Sequence, residues 1–213
     1  MYKLSKRHFW EWFKRYNTEY LLLKDKSNKE ARFWISELNA HLRAYYKFFR
    51  FGIQWEKGQP TILTISVHGK AAHFKKADDL VAKAPEIPGW KIVSLDQPRD
   101  MDLHLEDVIR EISIDPHEFR FSLDNHPHNP TITVYHPLYT PENDPLIYQL
   151  AHGAVYNLLG ERSFGIDIGE IEVANLSAAN IDELEDLEAL PGRIGLQCSD
   201  MVVDEDGNLV SMY

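Results

Sequence analysis

Thr61-Ile-Leu-Thr-Ile-Ser-Val67, then Phe74 to Ala84, then Gly89-Trp-Lys-Ile-Val-Ser-Leu95 are the runs that decide the fold class. The first is β-branched and apolar, as strands prefer, and His68-Gly69-Lys70 breaks it. In the second, Phe74, Ala77, Leu80, Val81 and Ala84 recur at helical spacing. Pro85 ends that helix, because the residue before a proline avoids helical dihedrals. The third run reads as a strand again. Strand, helix and strand over 61–95 make a parallel crossover unit, since parallel neighbours need a long connection.

Upstream, Phe49 to Glu56 alternates loosely and Lys57-Gly-Gln-Pro60 makes a turn, so a strand pairs back onto 61–67. Before it, Phe9, Trp12, Phe13, Tyr16 and Tyr20 mark one amphipathic helix near 5–20. Trp34, Ile35, Leu38, Leu42 and Tyr45 mark another, near 28–47, entered through Ser27-Asn-Lys-Glu30, the Ser-x-x-Glu pattern that satisfies free amides at a helix start. Downstream, Met101 to Ile114 does not settle between periods. Glu118–Leu123 and Thr131–Tyr135 read as strands flanking a His-rich loop. Asp144-Pro145 opens the strongest helix, which Gly160 closes. Ile166–Val173 reads as a strand, Asn180–Leu190 as an acidic helix with Ile181, Leu184 and Leu187 inward, and Met201–Met212 as a hairpin. No internal repeat stands out. The expected architecture is therefore one α+β domain over 1–213. Its helix pair, 5–47, packs on a sheet body, 49–213, that is mostly antiparallel with split βαβ, ferredoxin-like elements.

Charge is divided along the chain. Residues 1–50 hold twelve Lys/Arg against five Asp/Glu, whereas the remaining residues hold eleven against twenty-eight. Residues 161–213 alone hold thirteen acids against two arginines. The basic, aromatic head, with Arg7, Trp10 and Lys14 as candidate binding residues, needs an external anion or the acidic body as counter-charge. The net charge of −10 repels phosphate at long range, so nucleic acid is not an expected partner and the acidic body is the expected counter-charge. Exposed pairs contribute only ~0–1 kcal/mol each, so this orients docking rather than stabilises it.

No apolar run reaches the ~20 residues of a membrane span, and one cysteine, Cys198, permits no internal disulfide. A cytoplasmic setting is expected.

Motifs for chemistry are sparse. Asp124, His126 and His128 sit in the loop Asp124–Pro130, with His117 and His136 on the flanking strands, and are the metal-ligand candidates, although a hydrated turn explains the same composition. Asp204–Asn208 resembles a calcium loop, but the twelfth ligand position falls beyond Tyr213. No nucleophile elbow, phosphate loop or dinucleotide fingerprint is present. Glu161, in Leu159-Gly-Glu-Arg-Ser-Phe-Gly165, is the leading carboxylate for acid–base work. No cofactor is expected. Two functions follow: a non-catalytic cytoplasmic interaction or regulatory protein, partnered by itself or another protein through an aromatic-basic surface or an open sheet edge, or a small hydrolase using His126, His128 or the carboxylates near Glu161.

Phe9-Trp-Glu-Trp-Phe13, Ala84-Pro85 with Gly89-Trp-Lys91, Gln97-Pro-Arg99, and Leu159-Gly-Glu161 leading to Ile171-Glu-Val173 together resemble a family of bacterial proteins of about this length with no assigned activity. The likeness spans about residues 8–175. It implies a single α+β domain in a bacterial cytoplasm and carries no catalytic residues with it.

Overall fold

The computed structural model describes residues 6–101, 114–124, 126, 129–198, 201–203 and 209–211. They form two compact units, Met1–Asp96 and Gln97–Tyr213. Among the described residues no helix is long and apolar enough to cross a membrane.

The first unit opens with α1 (Lys6–Leu21) and α2 (Asn28–Tyr45). The expected box forms at the start of α2: the Glu30 N–H donates to Ser27 Oγ and the Ser27 N–H to Glu30 Oε2. Then β1 (Arg50–Gln54) pairs antiparallel with β2 (Thr61–Ser66), and α3 (Phe74–Val81) carries the chain over to β3 (Trp90–Ser94), parallel to β2. The parallel crossover of 61–95 is thus present. The inward side chains of the helix pair join the sheet in one core around Phe9, Phe13, Leu38, Leu42, Leu63 and Ile65.

The second unit repeats this plan. β4 (Arg120–Leu123) pairs antiparallel with β5 (Ile132–His136), α4 (Asp144–Ile166) crosses over, and β6 (Ile171–Asn175) lies parallel to β5. A fourth strand, β7 (Glu185–Asp186), adds antiparallel to β4. α5 (Leu190–Cys198) follows, and β8 (Met201–Val203) with β9 (Leu209–Ser211) makes the expected hairpin. The sheet body of the sequence reading is therefore several sheets, with strand orders β1-β2-β3, β6-β5-β4-β7 and β8-β9. The first two are mixed rather than purely antiparallel, because each contains a helix crossover, and a crossover delivers a parallel strand; among the described residues four of the six strand pairings are antiparallel.

Gly160 does break its helix, at φ 68° and ψ 167°, but helical structure resumes to Ile166. A side chain cannot comfortably adopt those angles, so only glycine lets the chain re-enter a helix there. The expected acidic helix at 180–190 is absent. Ile181–Glu183 and Leu187–Ala189 are single 3-10 turns on either side of β7. Ile181 is exposed and Leu187 is buried, so a repeat of three did not mark a helix face. The Leu187 N–H donates to Phe119 O instead, which ties this segment to a strand edge.

Candidate functional site

The sequence candidates separate when placed in space. Trp10 is no surface residue: it is buried, with its indole N–H donating to Leu80 O at 2.9 Å. Its aromatic neighbours explain this, since Phe9 and Phe13 pack on the ring within 4.8 and 6.0 Å. Trp12, placed on the apolar stripe, is half-buried and stacks on His41 at 3.7 Å. Arg7 is exposed and pairs with Glu11 on its own helix at 2.7 Å, which holds the Glu11 carboxyl below its ordinary range. Lys14 is exposed. Among the described residues Lys26 pairs with Glu19 at 2.7 Å, again within the helix pair and its connection.

In the His-rich loop, Asp124 accepts the backbone N–H of His126 at 3.1 Å, and this bond leads in lowering its pKa. Such a turn is what Asp does beside its own backbone. His128 lies outside the described residues. The flanking imidazoles do other work. His117 pairs with Glu188 at 2.6 Å. His136 is fully buried and accepts the Leu138 N–H on Nδ1, so its proton sits on Nε2, 3.6 Å from Glu118 Oε2. Burial pushes its pKa down, against the opposing pull of Glu118. Among the described residues no three His, Cys, Asp or Glu are placed to hold a metal ion. Glu161 is fully buried, directly after the break at Gly160. A nearby hollow of about 410 Å³ is lined by Tyr148, His152, Phe164 and Glu170 rather than by Glu161.

The feature that gathers binding chemistry is in the first unit. β1 is an outer strand: β2 takes one side, and among the described residues no strand takes the other. Such an edge turns alternate backbone N–H and C=O groups outward. Along it runs a groove of about 630 Å³, with Arg50, Phe51, Ile53 and Trp55 on the strand side and Arg32 and Ile35 on the α2 side. Phe51 and Ile53 stand opposite Ile65 and Leu63 in register. The β2 partners are fully buried, whereas Phe51 and Ile53 remain half-buried and Ile35 is 44% exposed.

Three cations stand around this apolar strip. Lys24 Nζ lies 5.0 Å over the Trp55 ring. Arg32 and Arg50 are exposed and have no acidic partner among the described residues. The Trp55 indole nitrogen is shielded from water and lacks an acceptor among them. An N–H so placed costs about 1–3 kcal/mol. The surrounding unit is basic as a whole. Residues 1–96 carry eighteen Lys/Arg against ten Asp/Glu, and residues 97–213 five against twenty-three.

No protein-family model, curated protein or solved structure matches the chain. Function is read from the groove itself. The sequence reading placed Arg32 only within the basic head of residues 1–50 and missed Arg50 and Trp55 as site residues. The available signal was the strand Arg50–Gln54, which the turn at 57–60 leaves at the start of a sheet.

Proposed function

We propose that the chain is a non-catalytic interaction or regulatory protein, and that it takes a segment of a partner into the groove beside β1. One observation carries this: an unpaired strand edge, half-covered apolar side chains and two arginines without acidic partners share a single groove among the described residues. Each is a group that association completes. Outward amides gain acceptors, apolar area leaves water, and fixed cations gain counter-charge.

A bacterial cytoplasm is the proposed setting, in keeping with the single cysteine and the family resemblance of residues 8–175. The partner is another protein of that compartment. A second copy paired edge to edge is the competing occupant, and a mass measurement in solution distinguishes the two.

The test is site-specific photo-crosslinking in cells, with the crosslinker at Gln54, exposed at the end of β1, or at Lys76, exposed on α3. A discrete protein adduct at 54 and none at 76 is expected. Equal labelling at both positions, or none at 54, removes the reading.

A further inference from the structure

We infer that the groove beside β1 receives an extended acidic segment, which adds to β1 as an antiparallel fourth strand and sets a carboxylate against Arg50. This rests on the proposed function and names the chemistry of its partner. The pattern is supplied by the second unit, where the equivalent edge is already filled.

The equivalence holds residue by residue. β1 is entered through Phe49-Arg50-Phe51-Gly52-Ile53 and β4 through Phe119-Arg120-Phe121-Ser122-Leu123. Both leading phenylalanines are buried, and both bond their N–H to a carbonyl three residues back, Phe49 to Tyr46 and Phe119 to Pro116. Both arginines fold back onto the preceding carbonyl, Arg50 Nη1 to Phe49 O at 3.0 Å and Arg120 Nη1 to Phe119 O at 3.3 Å. Each strand then pairs antiparallel with a second strand whose far side holds a parallel third.

On β4 the outer edge carries Glu185-Asp186. Asp186 stands opposite Arg120 in register and meets its guanidinium at 2.7 Å. The Leu187 N–H reaches Phe119 O. Under this strand Phe121 is 2% exposed. On β1 the same arginine, carbonyl and phenylalanine are present, no strand covers them among the described residues, and Phe51 is only half-buried. The groove adds what β4 lacks, Arg32 on the α2 side and the Trp55 N–H, unpartnered among the described residues. A segment with acids at neighbouring positions therefore meets Arg50 on one side of its pleat and the α2 wall on the other, since successive strand side chains point to opposite faces.

The probe is a peptide with blocked ends and the sequence of residues 182–189, Asp-Glu-Leu-Glu-Asp-Leu-Glu-Ala. A control replaces the acids equivalent to Glu185 and Asp186 by Gln and Asn. Both are titrated into the full, nitrogen-15-labelled chain, following the β1 amides and the Trp55 indole resonance, the latter assigned with Trp55→Phe. The acidic peptide is expected to shift both sets of signals. Neutralising its two acids, or introducing Arg50→Glu or Arg32→Glu at the exposed cations, weakens binding by about tenfold or more, the scale of one charge-assisted hydrogen bond. Arg7→Glu, outside the groove, leaves it unchanged. Equal binding of the neutral peptide, or indifference to Arg50→Glu, overturns the acidic-strand inference while leaving a groove that binds segments. Absence of any shift at β1 with either peptide also overturns it, and the crosslink at residue 54 then decides the broader reading alone. A doubled mass with concentration-dependent protection of β1 assigns the edge to a second copy and overturns the inference as well.

Discussion

Two strands that begin Phe-Arg-Phe end up in different surroundings. β4 lies between β5 and β7, and its Phe121 is buried; among the described residues β1 has β2 on one side only, and its Phe51 is half-exposed. The arginine, the preceding carbonyl and the entering turn are alike in both. The contrast teaches that a strand edge is defined by its neighbour rather than by its own residues. The same five-residue pattern is a finished interior strand when a chain segment returns to it and an open edge when none does.

The contrast is broken most directly at the two phenylalanines. Phe121→Ala is expected to cost about 3–5 kcal/mol in denaturant unfolding, as buried aromatic truncations do. Phe51→Ala is expected to cost roughly 1–2 kcal/mol, in proportion to its partial burial. Equal losses would show that the β1 edge is as well covered as that of β4.

Next in size is the crossover helix. α4 carries a break at Gly160 that the short α3 lacks. Gly160→Ala forces a side chain into φ 68°, ψ 167°, with an expected cost of about 1–3 kcal/mol. A thermal midpoint unchanged from wild type would mean the break is not needed to seat the helix.

Acid sharpens the picture of the second unit. Burial lowers the pKa of both His136 and His152. Unfolded histidine binds a proton near pH 6.5, while the folded rings resist until lower pH. The stability of the neutral rings is therefore complete above about pH 6.5 and is lost as pH falls through their depressed folded values. Amide exchange of β5 and α4 is expected to accelerate over that window, and His136→Phe is expected to flatten the dependence. An unchanged slope in that variant would remove His136 as a cause.

Smallest are the arginines. Arg120→Ala loses a half-exposed pair with Asp186 and is expected to cost about 0–1 kcal/mol. Arg50→Ala in the isolated chain is expected to be neutral within error, since Arg50 is exposed and has no acidic partner among the described residues. A larger loss at Arg50 than at Arg120, read by urea titration, would mean that β1 already has its counter-charge.

Much of the framework was legible locally. The helix pair, the Ser27–Glu30 box, the crossover of 61–95 and the interruption at Gly160 each follow from spacing or from one residue's dihedral preference. Where local signals misled, a distant partner had intervened. Trp10 sits among Lys6, Arg7, Lys14 and Arg15 in sequence, yet Leu80 O takes its N–H and the core takes its ring. Ile181, Leu184 and Leu187 share helical spacing, but β4 offered their backbone better hydrogen bonds as an added strand. Asn157 gave no signal at all, and it fastens the Gln97-Pro-Arg99 segment by accepting from Arg99 Nε and donating to Met101 O.

Sequence by itself settled the kinds and order of most elements, the segment 180–190 excepted, and the uneven distribution of charge, because side-chain period, capping and glycine geometry act over a few residues. Only the tertiary structure decided that the strands divide between separate sheets, that the repeated Phe-Arg-Phe strands are counterparts, and that among the described residues no strand covers the outer edge of one of them. Those outcomes depend on which backbone edges find partners scores of residues away, and hydrogen-bond pairing at that range leaves no periodic trace in the chain.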